Sequence, residues 1–286
     1  VAFFGGSFTG IPLEEQSAFL EVAADYKARG LIDKIHMSTR PDYIDETILD
    51  NLKKYDADII ELGVQSFHSE VLKASNRGHS AEDVYKACDL IRSYGFELGI
   101  QLMIGLPEDS LERCLYSARE TVKIAPSVAR LYPTIVLNDT ELLRMYQRGE
   151  YSPLTTDEAV AITKEMYRIL DDAGINIIRV GLKSTDLITE GGEIRGHTFH
   201  PAFRQLVEGE LAKEQLEEQL TELLQGAAKS PEVHERFEFR SSNSFSNMVG
   251  NSRRNKNYFA EKYPDLRIKY KVDHSLADGR YIVVKS

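Results

Sequence analysis

From residue 1 to about 180 the chain repeats strand, helix, strand, helix, and this alternation limits the possible folds more than any other feature. Strands read at Val1–Phe4, Lys34–Ser38, Ile59–Val64, Leu98–Ile104, Ala129–Thr134 and Asn176–Val180. Helices read at Leu13–Arg29, Ile44–Lys54, Ala81–Tyr94, Ser110–Ile124 and Thr156–Ala173. Ser80, Ser110 and Thr156 suit N-caps, and Gly30, Gly95 and Gly174 suit helix C-termini. Regular βα alternation requires a parallel sheet, either doubly wound or closing into a barrel.

The two faces of the strands decide between these. Ile60, Leu62 and Val64 are apolar, while Glu61, Gly63 and Gln65 between them are polar or small. Leu98, Ile100, Leu102 and Ile104 alternate with Gly99, Gln101 and Met103. His36, Ser38 and Arg40 alternate with Ile35 and Met37, and Arg130 and Tyr132 with Ala129 and Leu131. A sheet covered by helices on both faces has near-continuous apolar strands. A complete small barrel fills its interior with branched side chains. Here one face is polar, and unpaired buried polar groups are costly. The expectation is an open or wide partial (β/α) barrel, TIM-like, whose polar lumen holds a ligand.

Phe3-Phe4-Gly5-Gly6-Ser7-Phe8-Thr9-Gly10 ends the first visible strand. Two adjacent glycines remove two Cβ atoms and leave backbone groups free to grip a small polar ligand. Taken alone, the stretch reads as an ordinary tight turn. Other motifs fall at the same end of the sheet: Thr39-Arg40-Pro41-Asp42-Tyr43, Gly63-Val64-Gln65-Ser66, Gly105-Leu106-Pro107-Glu108 and Leu131-Tyr132-Pro133-Thr134, with Asn76-Arg77-Gly78-His79 between the third strand and the next long helix. Carboxyl ends of parallel strands are where α/β folds place their sites. His36 and Tyr132 are expected as cavity wall, and Glu61 as a partner of Arg40 or Arg77 or of a ligand.

After 180 the alternation stops. Residues 1–182 are expected as the barrel, 183–230 as a connector and helical segment, and 231–286 as a small α+β module of βαββ order. The helix Ala202–Leu224 is expected to break near Gly209. His197 and His200 suit capping or packing, since two histidines alone make a poor metal site. Net charge is −10, yet residues 251–286 hold nine Lys and Arg against four Asp and Glu. With the amides and hydroxyls of 242–257 and the rings of Phe245, Tyr258 and Phe259, this basic stretch suits an RNA partner, with Arg253, Arg254 and Lys256 as contacts. The alternative is a solvated basic surface or a packing domain. No membrane or DNA partner is expected. Cys88 and Cys114 suggest neither a disulfide framework nor a metal site, so a cytoplasmic setting is expected.

The order of these phrases resembles the radical S-adenosylmethionine (radical SAM) superfamily over roughly residues 1–180. It is most similar to relatives of the Elongator catalytic subunit and, more distantly, to oxygen-independent coproporphyrinogen oxidase. The resemblance implies two cofactors, S-adenosyl-L-methionine (SAM) and a [4Fe-4S] cluster held by three cysteines, and it implies an electron donor. It implies an enzyme that generates a 5′-deoxyadenosyl radical, here for RNA (tRNA) base modification. The alternatives are an oxidase of a small molecule such as a porphyrinogen, or an inactive RNA-binding relative. By the same resemblance Gly5, Gly6 and Ser7 meet SAM, with Gln65 and Arg77 as further contacts. Ser38 stands where a Glu is usual, and Gln101 where an Asp is usual. The resemblance assigns no catalytic residue, and no metal ligand is found in this sequence. The Elongator acetyltransferase domain is not found either.

The chain starts at Val1, inside a strand pattern, so the first barrel strand and the cysteine loop are expected upstream. The chain is therefore expected to be unable to assemble the cluster or cleave SAM by itself. Iron analysis after anaerobic reconstitution, beside an upstream-extended form, checks this; stoichiometric cluster in the short chain is the contrary result.

Overall fold

The computed structural model describes residues 1–185, 188, 194–195, 197–225 and 235–286. They form two compact units, Val1–Phe199 and His200–Ser286.

In the first unit the elements run β1 (Ala2–Phe3), α1 (Leu13–Ala28), β2 (His36–Thr39), α2 (Glu46–Lys54), β3 (Ile59–Gln65), α3 (Ser69–Ala74), α4 (Ala81–Ser93), β4 (Glu97–Ile104), α5 (Leu111–Ile124), β5 (Val128–Pro133), β6 (Val136–Leu137), α6 (Glu141–Gln147), α7 (Thr156–Asp172), β7 (Asn176–Val180) and β8 (Ile194–Arg195). Six strands pair in parallel in the order β1-β2-β3-β4-β5-β7 and curl into a partial barrel. Ile60, Leu62, Val64, Ile100, Leu102, Ile104 and Leu131 are fully buried on the helix-covered face. The strand register brings Ser38, Glu61 and Gly99 side by side, then Gly63, Gln101 and Arg130. The polar positions of neighbouring strands thus share one wall.

Helix starts follow side-chain chemistry. Ser80 and Ser110 accept hydrogen bonds from the backbone N–H groups of Asp83 and Arg113. The cap of α7 is Thr155 rather than Thr156; Thr155 and Glu158 satisfy each other's backbone N–H in a capping box. The short elements α3, α6, β6 and β8 have too few residues to show periodicity in the sequence. Much of the connector around 185–196 and the linker at 226–231 lies outside the described residues. Among the described residues no helix is long and apolar enough to cross a membrane.

The second unit contains α8 (Phe203–Gln225), β9 (Arg236–Ser241), α9 (Phe245–Val249), α10 (Arg254–Lys262), β10 (Arg267–Val272) and β11 (Tyr281–Lys285). β9 is the central strand, parallel to β10 and antiparallel to β11. Phe237 and Phe239 pack with Ala212, Leu216, Leu220, Met248 and Phe259 in one core. The helix at 203–225, expected as part of the connector, therefore belongs to this module's core. It is also unbroken at Gly209. Asn255 anchors the helix there by donating from Nδ2 to the Gly209 carbonyl at 2.7 Å and to the Asn247 carbonyl at 3.0 Å. Gly250, at φ +80°, lies so near Asn255 that a Cβ would sit 2.7 Å from its backbone nitrogen.

These two glycines predict opposite outcomes. A Cβ at position 209 would meet its nearest neighbour at 3.6 Å, ordinary contact. Gly209→Ala is expected to raise the unfolding free energy by about 0.5–1 kcal/mol through helix propensity, whereas Gly250→Ala is expected to lower it. Urea denaturation of the two variants distinguishes the signs.

Candidate functional site

The strand tip after β1 is held by bonds between two of the motifs, and by Gln16, which the sequence did not single out. Thr9 Oγ1 donates to the Tyr43 carbonyl at 2.7 Å and pairs with Thr39 Oγ1 at 2.6 Å. Buried Gln16 donates to the carbonyls of Thr9 and Ile11. The Tyr43 ring lies over Gly10, where a Cβ would be 2.8 Å from it. The base of the turn is thus fixed. Its apex is open: Gly5 takes φ +110°, and a Cβ on Gly5 or Gly6 would meet nothing within 4 Å. Beside Gly6 and Ser7 lies a recess of about 240 Å³ walled by Phe3, Phe4, Phe8, Ile11 and Phe19.

The inner wall is built around Glu61, which has no exposed surface. Its Oε2 lies 2.8 Å from Arg130 Nε and 3.5 Å from His36 Nε2. The expected partners, Arg40 and Arg77, are not used. Arg40 instead holds Asp42 and stacks on Tyr43. Arg130 donates to the Tyr132 hydroxyl at 3.1 Å, and its guanidinium lies over the Phe4 ring at 4.0 Å. Phe4 also meets His36 edge to face. Gly99 makes this possible, because a Cβ there would be 3.2 Å from the Glu61 stem and 2.9 Å from Val128. The Glu61 oxygens, Arg130 Nε and His36 Nε2 are close enough for charge pairing but make no aligned hydrogen bonds with protein groups.

Gln65 and Gln101 come together on the same wall. Gln101 Nε2 donates to Gln65 Oε1 at 2.7 Å. Gln65 ends β3 at φ +68°, where the β3–β4 register slips by one residue. Its side chain folds back over Gly63, where a Cβ would stand 2.7 Å from Gln65 Nε2. Ser38 lies on the wall next to Glu61 by register.

The Asn76–His79 segment does not end a strand; it joins α3 to α4. Buried His79 ties it to the sheet, with Nε2 donating to the Val64 carbonyl at 3.1 Å. Burial holds the His79 imidazole below the ordinary histidine range, so the ring is neutral. Arg77 is half-buried, and its guanidinium has no hydrogen-bond partner among the described residues. Burial first, and then repulsion from Arg40, lowers its proton affinity. A cation in that position fits an anionic ligand group.

The wall therefore fits a ligand such as SAM, which carries a carboxylate, an ammonium and polar ribose groups. Open backbone at Gly5–Ser7, the Gln65–Gln101 pair and the Arg77 cation all suit it. The described residues do not fit a [4Fe-4S] cluster. Cys88 is buried in α4, and burial pushes its thiol up to about 12. Cys114 is buried in α5 and donates to Asp109 Oδ2. Among the described residues, no group of three His, Cys, Asp or Glu side chains is placed to hold a metal.

In the second unit, Arg253 and Lys256 are exposed, while Arg254 lies 3.6 Å from Glu210. The neighbouring amides point inward: Asn247 donates to Glu208, Asn251 to Gln205 and Asn255 to backbone carbonyls. Phe259 is core, and the Tyr258 hydroxyl donates to Glu217. Asn247, Asn251, Asn255, Tyr258 and Phe259, expected to serve RNA, support α8 instead, while Asn243 and Asn257 are exposed. His200 accepts from the Ala202 backbone N–H, a capping contact.

Residues 1–119 match the model of the radical SAM superfamily, and residues 126–213 match that of the Radical_SAM C-terminal domain. The tRNA uridine(34) acetyltransferase of Methanocaldococcus infernus is 34% identical over 164 residues, 53% of this chain and 31% of that protein. An uncharacterized protein of Methanocaldococcus jannaschii is 30% identical over 166 residues, 57% of this chain and 51% of it. Human Elongator complex protein 3 is 26% identical over 213 residues, 64% of this chain and 39% of that protein. The chain thus spans from about a third to a half of the length of these relatives. A solved structure of the archaeal M. infernus Elp3, with an N-terminal deletion, superposes with a TM-score of 0.66 at 25% identity, covering 82% of this chain and 60% of that one.

The buried ion pair sets the prediction here. Arg130→Met would leave the Glu61 carboxylate buried and unpaired, and is expected to cost about 3–5 kcal/mol. The double variant Glu61→Gln/Arg130→Met is expected to recover most of that loss. A double-mutant cycle by chemical denaturation measures the coupling.

Proposed function

We propose, from the premise that this chain belongs to the radical SAM superfamily, that it forms the SAM-binding wall of an enzyme that generates a 5′-deoxyadenosyl radical and modifies a tRNA base. The observation that carries the SAM assignment is the half-buried, unpartnered Arg77 cation, on a loop tied to β3 one residue before Gln65. The tRNA assignment is supported by the similarity to tRNA uridine(34) acetyltransferases.

Each side chain then has a role. The open backbone of Gly5, Gly6 and Ser7 receives the ligand's ammonium through carbonyl groups. Arg77 offsets its carboxylate. Gln65 and Gln101, holding each other by one hydrogen bond between their amides, present their remaining amide atoms to the ligand's hydroxyl and ring edges. Ser38 adds a hydroxyl to the wall. The Glu61–Arg130 pair carries no net charge and holds the wall's shape beneath these contacts. SAM, when bound, supplies the radical precursor; the chain binds it, orients it and limits water. A reduced electron donor and a cytoplasmic setting complete this reading.

Arg77→Ala is expected to weaken SAM binding by tenfold or more in equilibrium dialysis, with the circular dichroism spectrum unchanged. In cells lacking the protein, mass spectrometry of tRNA nucleosides is expected to show one modified nucleoside lost. An unchanged nucleoside profile with altered tetrapyrroles would favour the small-molecule alternative.

A further inference from the structure

The sheet of the second unit has two chemically distinct faces. One carries Phe237, Phe239, Ile268, Tyr270 and Val283 and packs on the helices. The other carries Arg236, Glu238 and Arg240 from β9, and Arg267, Lys269 and Lys271 from β10. Five of these six side chains are cationic. Arg236, Arg267, Lys269 and Lys271 are exposed, and β10 lies at the sheet's edge.

The register makes this face unusual. Arg236 stands directly opposite Arg267, and Arg240 directly opposite Lys271. Like charges directly opposite each other destabilise a sheet. Only Glu238 relieves them from within the face, accepting from Arg240 at 2.7 Å and pairing with Lys271 at 2.6 Å. Asp273, at the end of β10, stands 3.7 Å from Arg240. The side chains of Arg236, Arg267 and Lys269 have no ion-pair partner among the described residues. Meanwhile the acids of the unit collect elsewhere, with six Glu against one Arg and one Lys in α8.

We infer that this sheet face is a docking surface for the phosphate backbone of RNA, an inference that rests on the tRNA reading above. Successive cations on β10 stand about 6.6–6.8 Å apart along the strand, a linear row suited to an extended polyanion. An RNA backbone supplies the counter-charge that the Arg236–Arg267 pair and Lys269 lack. The exposed face offers no aromatic ring, with Ile282 and Val284 as its β11 positions. It therefore positions RNA through phosphates and does not read bases. The acidic α8 repels the same polyanion, so binding is confined to the basic face.

The test uses the full chain with labelled bulk tRNA, titrated by fluorescence anisotropy across a salt series. The Arg267→Gln/Lys269→Gln/Lys271→Gln variant is expected to lose affinity roughly 100-fold and to flatten the slope of log K against log salt by about 2–3. Glu238→Gln, which frees Arg240 and Lys271, is expected to bind more tightly, a gain that misfolding cannot mimic. If tRNA binding survives the triple change but is lost in Arg253→Gln/Arg254→Gln/Lys256→Gln, this surface is wrong and the RNA reading stands. If vesicles of phosphatidylglycerol bind and tRNA does not, RNA is the wrong partner for the face. If neither binds, the docking surface is overturned, and the nucleoside profile decides the tRNA reading independently.

Discussion

A fully buried carboxylate, Glu61, held 2.8 Å from the Arg130 guanidinium, sets the terms for the inner wall of the first unit. Taking both charges out of water is unfavourable unless each is tightly paired. The wall meets that condition with local means. Gly99 leaves space for the Glu61 stem, Phe4 covers the outer side of Arg130, and Tyr132 accepts from its far nitrogen. Remove any of these and a charge is left without its surroundings. A polar lumen is thus compatible with a stable sheet because its deepest charges cancel within the wall, leaving the rim free to meet a ligand.

Much of this frame was legible in the sequence. Period-two alternation placed His36, Ser38, Glu61, Gln65, Gln101, Arg130 and Tyr132 on one face; the strand register aligns Ser38 with Glu61 and Gln101 with Arg130, and Gln65 reaches Gln101 past a one-residue slip. The glycine tip was legible for the same reason, since two missing Cβ atoms imply an open backbone. What escaped was pairing. Alternation gives the face of a side chain but not its neighbour across strands, so Glu61 was matched with Arg40 or Arg77 and not with Arg130, two strands away. The bond between Thr9 and Thr39, and the role of Gln16, were not legible because polar residues near a turn have many uses, and only tertiary approach selects one.

The second unit shows the converse error. Asparagines near basic residues resemble a nucleic-acid surface by composition, yet Asn247, Asn251 and Asn255 turn toward α8 and satisfy its groups. Gly209 looked like a helix breaker because its cost in a helix interior is real. Here the bond from Asn255 to its carbonyl and the packing of Leu216 and Leu220 outweigh that cost. Cations on a strand were read only as strand, since alternation with Ile268 and Tyr270 explains the strand by itself.

The two units treat charge in opposite ways, and the contrast separates structural charge from functional charge. In the first, buried Glu61 is compensated by half-buried Arg130, with His36 beside them, as a wall that keeps its shape requires. Arg77 departs from that pattern, being half-buried and without a hydrogen-bond partner among the described residues. In the second, Arg236 and Arg267 face each other across adjacent strands in solvent, where screening makes their repulsion tolerable but not favourable. Folding alone gains nothing from either arrangement. A cation held away from available acids, on a rigid element, has its electrostatic energy to recover only from something that binds. For Arg77, on the loop tied to the end of β3, the proposed partner is the carboxylate of a small molecule. For the open β10 row, the same argument selects a long one.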